Sequence, residues 1–323
     1  MRAALLRTYG APAELAEWPN PNPGPGETLV HVTAAPIVPL DLLCATGTSY
    51  FGQQSLPYVP GVQGVGTVSS STDLPAGTRV WFATSAGMAP GDGSLAELCA
   101  VPLADLVPIA GNVPDAAVAA LGTSGIAAWM AVSWRAALQA GERVIVLGAS
   151  GAVGQVALAV ARHLRAARVV AVCRSERSVQ RARNAGADDV VVLRPEETRA
   201  DLTARLMEAA GGPADVVVDP VFGEPAAAAA MALGTWGRLV NIGGAAHDVA
   251  EFSSAVLRSR TIGILGYTNN AISAEQRAVA LTNVLSLAER EGASVDHRVM
   301  PLVDCGRAWE AACESGPRIV IAP

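Results

Sequence analysis

The sequence predicts an α/β chain in two parts, a strand-rich, barrel-like region followed by a doubly wound parallel sheet. Three observations predict it. Residues 1 to about 120 are rich in Gly and Pro and poor in helical periodicity. From Pro114 onward, short apolar runs alternate with Ala- and Leu-rich stretches, the pattern of a parallel sheet wound with helices. At the head of that second part, Arg143 to Gly154 reads as strand, glycine turn and helix start in direct succession.

In the first part, Leu29–Ala34 alternates like a strand, and Gly64–Val68 and Thr78–Phe82 read as further strands. Turns such as Pro23-Gly24-Pro25-Gly26 and Pro75-Ala76-Gly77 separate them. Asp115–Leu121 reads as a short helix and Gly125–Leu138 as a longer one ending at Gly141. Strands are then expected at 143–147, 168–173, 189–193, 215–219 and 237–242. Helices are expected between them at 152–164, 176–184, 198–209 and 224–232. Thr261–Tyr267 reads as a last strand and 274–290 as a helix. Arg318–Ile321 is expected to return to the strand-rich part.

The 323 residues suffice for about two domains and a large core. No run reads as a bilayer span, and Arg7 breaks the N-terminus before a signal core forms. The expectation is a cytoplasmic chain. A net charge of −6 without a basic tract argues against nucleic acid. The 5 cysteines are scattered, form no Cys-x-x-Cys pair, and read as free thiols. No lysine occurs anywhere, so no mechanism can use a lysine base or Schiff base.

The stretch that carries chemistry follows the apolar run Val144–Leu147. Gly148, Ala149, Ser150, Gly151, Ala152, Val153 and Gly154 open an Ala/Val-rich helix. A pyrophosphate needs backbone N–H groups with no Cβ in the way and the positive end of a helix. A tight strand-to-helix turn also wants glycine. The apolar strand Arg168–Cys173, at the spacing of a βαβ unit, favours dinucleotide binding. That strand ends at Cys173 without the acid that would accept a ribose 2′-OH. Arg174, Ser175, Glu176, Arg177 and Ser178 follow; arginine forks suit a 2′-phosphate, and Glu176, at a helix start, can point its carboxylate to solvent. The cofactor expected is NADPH.

The order of parts resembles the medium-chain dehydrogenase/reductase superfamily, and within it the zinc-free quinone oxidoreductase and enoyl reductase branch. The marks are Pro57–Val68, Gly148–Gly154, Asp215–Val221 and Gly237–Gly243, in the family's order. The resemblance implies a GroES-like catalytic domain over 1–121, a Rossmann domain over 122–266, and a C-terminal return over 267–323. It implies that the turn with Asn241, Ile242 and Gly243 faces the nicotinamide. It further implies that the Ser259–Tyr267 stretch, with Gly266 and Tyr267, closes over that ring, and that the protein is a homodimer.

Zinc-dependent relatives carry a cysteine in the first domain, and a histidine and a glutamate after the Pro-Gly turn. Here the turn reads Gly61-Val62-Gln63, the segment Ile37–Asp41 has no cysteine, and the cysteines of the structural zinc lobe are missing. No metal is expected. Zinc needs three or four ligands converging on one point. Without a Lewis acid, conjugate hydride addition to an enone or quinone is favoured over reduction of an isolated ketone. Val38 and Ala127 stand where relatives carry Asn and Thr. Thr123 and Ser124 either supply hydroxyls instead or cap the Gly125 helix. Tyr50 and Asp41 lie in the family's substrate loop, Pro39–Gly52. Tyr50 is the better donor, since a phenol keeps its proton at pH 7; Asp41 either does proton chemistry or anchors the loop. The function expected is reduction of a small-molecule quinone or α,β-unsaturated carbonyl. The alternative is an NADPH-binding structural or regulatory protein without turnover.

Overall fold

The computed structural model describes residues 1–70, 74–314 and 316–323. Two compact units emerge, Met1–Gly122 with Val295–Pro323, and Thr123–Ser294.

The first unit opens with the antiparallel pair β1 (Arg2–Leu5) and β2 (Glu14–Glu17). The long strand β3 (Glu27–Pro36) leads into helix α1 (Pro39–Ala45), within the segment expected as the substrate loop. Pro39 at its first turn has no N–H to lose there. Strands β4 (Gln63–Ser70), β5 (Arg79–Ala83), β6 (Leu98–Pro102) and β7 (Leu106–Pro108) complete the N-terminal part. Val30, Val80, Phe82 and Val101 form the core with Leu5 and Leu6, each such buried side chain contributing ~1.5–3 kcal/mol.

The chain passes into the second unit through α2 (Asp115–Trp129), which continues as a π-helical stretch over Met130–Arg135. The two helices expected here follow one another directly, separated by the non-helical residue Gly122 (φ 7°, ψ −120°). Counted across that break, residues 115–135 have the length and apolar character of a membrane span. The span is a core helix by burial, with 72% of its most apolar window inside the protein.

The second unit alternates strand and helix as expected. The order is β8 (Arg143–Val146), α3 (Ala152–His163), β9 (Arg168–Cys173), α4 (Val179–Asn184), β10 (Asp189–Val192) and α5 (Arg199–Ala210). Then come β11 (Ala214–Asp219), α6 (Gly223–Met231), β12 (Leu233–Asn241), α7 (Ser254–Arg260), β13 (Gly263–Gly266) and α8 (Ala274–Glu291). The sheet is parallel, in the order β10-β9-β8-β11-β12-β13. Chain direction across the sheet reverses between β8 and β11, and that switch point is where such a sheet opens a crevice at its strand ends. The runs Val144–Val146 and Val216–Val218 are wholly buried because helices cover both faces.

Helix α8 belongs to this unit, so the return to the first unit begins at Val295 rather than at 267. The reason is packing: a Cβ on Gly125 would lie 2.8 Å from Val284 of α8, and Glu291 pairs with His163 of α3 at 2.8 Å. After it, β14 (His297–Pro301), α9 (Cys305–Cys313) and β15 (Arg318–Ala322) finish the chain. Strand β15 pairs antiparallel with β3, giving the order β14-β15-β3-β4-β5-β7, with β6 also on β3.

Candidate functional site

The turn after β8 is pinned on both sides. Leu147 N–H donates to Val218 O of β11 at 2.9 Å, and Ala149 N–H to Val172 O of β9 at 3.0 Å. Gly148 sits at φ +57°, a conformation costly for any residue with a Cβ. Gly154 serves close approach instead, since a Cβ there would lie 2.5 Å from Gly148 O. Gly151 is the N-cap of α3 and supplies no side-chain acceptor. The first-turn N–H groups, from Ala152 and Val153 onward, are therefore ready for an anion. Ser150 is half-buried, and its carbonyl accepts from Gln155 Nε2 at 3.0 Å.

At the end of β9, Cys173 is buried, and burial pushes its thiol up to about 11 against the charge of Arg181 and the Ser150 N–H. Arg174, Ser175, Glu176 and Arg177 follow, all exposed. The α-helix expected from 176 begins at Val179; residues Glu176–Ser178 form a 3-10 turn instead. The two arginines therefore sit on a short exposed turn directly beyond the strand end.

Beyond β11 and β12 the turns are built on side chains. Asp219 is fully buried, and its Oδ1 accepts from Val221 N–H at 2.9 Å and Phe222 N–H at 2.8 Å. Burial raises this carboxyl above its ordinary value, partly offset by those two N–H groups and Asn241. Phe222 sits at φ 58°, ψ −164°, a region nearly confined to glycine, at a cost of ~1–3 kcal/mol that the surroundings must hold in place. Of the residues expected to face a nicotinamide, Ile242 and Gly243 are half-buried in the turn. The side chain of Asn241 is engaged, donating to Asp219 Oδ2 at 3.1 Å and Gly243 O at 2.9 Å. Asp219 lies in the Asp215–Val221 run, where its sequence alone assigns it no role. The available signal was an acid closing an apolar strand just before Pro and Gly.

Gly266 is exposed at the end of β13, its carbonyl accepting from Arg135 Nε at 3.0 Å. Tyr267 N–H donates to Asn241 O at 2.9 Å, and its hydroxyl to Asn269 Oδ1 at 2.7 Å. Asn269 Nδ2 in turn donates to Thr123 O at 2.9 Å. Within the Ser259–Tyr267 stretch, Ser259 and Arg260 finish helix α7, and Gly263–Gly266 form β13. Ser124 is buried within α2, just past Gly122.

In the first unit, Asp41 is 2% exposed. Its Oδ2 accepts from Val38 N–H at 2.8 Å and its Oδ1 from Val62 N–H at 2.9 Å. Burial pushes its carboxyl up to about 6, against the N–H groups of Val38, Val62 and Gly61 and the charge of Arg318. This geometry is that of an anchor joining the 37–41 segment to the 61–62 turn. Tyr50 lies beside Phe51 on the loop after α1 and is 77% exposed.

Among the described residues, no group of three or more His, Cys, Asp or Glu side chains converges to hold a metal. Gln63, in the position of the missing glutamate, accepts through Oε1 from Trp81 Nε1 at 2.8 Å. Cys44 is buried near Ser49 and Tyr58, and burial raises its thiol, with Ser49 lowering and Asp41 adding to it.

Comparison with known proteins bears on the fold and the family. The alcohol dehydrogenase GroES-like domain model matches residues 24–114, and the zinc-binding dehydrogenase model residues 152–283. Quinone oxidoreductase-like protein 2 of Bos taurus is 31% identical, over 82% of this chain and 74% of its own. A zinc-type alcohol dehydrogenase-like protein of Schizosaccharomyces pombe is 30% identical, over 84% of this chain and 79% of its own. Among solved structures, the quinone oxidoreductase of Thermus thermophilus, described with its NADPH complex, superposes with a TM-score of 0.83. It is 27% identical and covers 100% of both chains.

Proposed function

The chain belongs to the medium-chain dehydrogenase/reductase superfamily, in its quinone oxidoreductase branch, and from that premise we propose a zinc-independent reductase that uses NADPH. Its acceptor is a quinone or an α,β-unsaturated carbonyl compound. The observation that carries the reading is the strand end at Cys173, with no acid for a ribose 2′-OH and two exposed arginines directly beyond it. The Thermus thermophilus protein, described with NADPH, supports the same cofactor.

When bound, the dinucleotide supplies a hydride. The first-turn N–H groups of α3 hold its pyrophosphate, and Arg174, Ser175 and Arg177 its 2′-phosphate. The glycine-bearing turn at Ile242–Gly243 presents backbone to the nicotinamide. The acceptor's oxygen gains negative charge as hydride arrives, and a hydrogen-bond donor must meet it. The hydroxyl of Tyr50 is the donor proposed, with Asp41 holding its loop in place. Spreading charge over a conjugated system lowers the need for a Lewis acid, and no cluster of three metal-ligating side chains among the described residues argues for one. Strand β13 ends the sheet order, and its open edge supports assembly as a homodimer.

The test is NADPH oxidation, followed at its nicotinamide absorbance, with a panel of quinones and enones. Turnover on at least one acceptor supports the reading. Tight NADPH binding with no turnover on any would replace it by a binding protein without catalysis.

A further inference from the structure

Strands β8, β11 and β12 lie side by side at the switch point of the sheet, and the turns at their C-terminal ends meet there. The turn after β8 carries Gly148, where a Cβ would lie 2.8 Å from Val221 Cγ1 and 3.3 Å from Pro220 Cγ. It is therefore packed directly on the turn after β11. The turn after β12 is tied to that same turn by Ala246 N–H donating to Val221 O at 2.8 Å, and Ala245 N–H to Pro220 O at 3.3 Å. The middle turn is the common support of the other two, and its own shape depends on one side chain.

That side chain is Asp219. Three N–H donors converge on its carboxylate: Val221 and Phe222 from the middle turn, and Asn241 Nδ2 from the end of β12. Asn241 Nδ2 also lies 2.9 Å from Gly243 O, so the carboxylate reaches the third turn through it. A carboxylate is acceptor-only and can meet all three donors. An asparagine offers one oxygen and a pair of donors, so one N–H must face another. If Asn241 flips to relieve that clash, its oxygen is turned toward the carbonyl of Gly243.

We propose that Asp219 is a positioning residue for the dinucleotide, its buried carboxylate setting the spacing of the three turns that hold the pyrophosphate and nicotinamide end. This rests on the NADPH reading above. The 2′-phosphate site beyond Cys173 lies on a different strand end and does not depend on it.

The experiment compares Asp219→Asn with wild type in the full chain. Folding is checked first by circular dichroism and thermal melting. Dissociation constants are then measured by calorimetry for NADPH, NADH and adenosine 2′-monophosphate, the last carrying the 2′-phosphate but neither pyrophosphate nor nicotinamide. NADPH and NADH should each weaken by ~10–100-fold, while adenosine 2′-monophosphate changes by less than about threefold. Asn241→Ala, which keeps the two backbone donors on Asp219 and removes the amide that donates to both Asp219 Oδ2 and Gly243 O, should show the same pattern at ~3–10-fold. It decides the matter if Asp219→Asn does not fold. A folded Asp219→Asn that binds both dinucleotides within about threefold of wild type overturns the proposal, as does equal weakening of all three ligands. Failure of the wild type to bind either dinucleotide would overturn the coenzyme reading itself, and this inference with it.

Discussion

Arg238 grips Glu142 with both arms of its guanidinium, Nη1 to Oε1 at 2.7 Å and Nη2 to Oε2 at 2.9 Å. The same side chain donates to Ala136 O through Nε at 2.9 Å and Nη2 at 2.8 Å. One residue of β12 thereby ties the segment entering β8 to the end of the π-helical stretch. Both side chains are about one-fifth exposed, at 21% each, so water screens the pair only in part.

Removing that grip should cost stability. Arg238→Ala is expected to lower it by ~2–3 kcal/mol, read from chemical denaturation. Burial pushes Glu142 up, but the Arg238 hydrogen bonds, the Gln139 N–H and the guanidinium charge outweigh it and hold the carboxyl below its ordinary 4.5. The unfolded chain then binds the proton more tightly, so this contribution is present above pH 4.5 and lost as pH falls through the lower folded value. The melting-temperature gap between wild type and Glu142→Gln should therefore shrink as pH is lowered from about 7 to about 4. A gap that widens on acidification would contradict the sign.

Cofactor choice is tested at the end of β9. Replacing Arg174 and Arg177 together by alanine should weaken NADPH binding by at least ~10–100-fold, since a charge-assisted contact contributes ~1.5–3 kcal/mol. NADH has no 2′-phosphate and should barely respond. Equal weakening of both cofactors, or a wild-type preference for NADH, would remove the loop from the phosphate site.

Tyr50 is separable from its loop. If its hydroxyl serves the acceptor's oxygen, Tyr50→Phe should lower kcat by ~100-fold or more while NADPH affinity stays unchanged. A loss below about threefold would leave the ring as a surface that shapes the loop and nothing more.

Metal dependence follows from the donor set. The purified protein should carry no stoichiometric zinc by elemental analysis, and its reductase activity should survive prolonged chelation. About one zinc per chain, with activity abolished on chelation and restored by zinc, would reverse this.

What the sequence determined by itself is local. Val144–Leu147, Gly148–Gly154 and the alternation to Asn241 are legible because strand, turn and helix preferences act within a few residues. So is the missing acid after Cys173, because the residue next to a strand end is read directly. The tertiary structure alone decided what long-range packing settles. Helices α7 and α9 are short, and periodicity over so few residues does not announce them. The return at Val295 depends on Val284 of α8 meeting Gly125. The work of Asp41 and Asp219 depends on which N–H groups surround each carboxylate, and those include Val62 and Asn241, each about 20 residues away along the chain. A carboxylate in a sequence is only an acceptor; the fold supplies its donors and excludes the water that would otherwise compete for it.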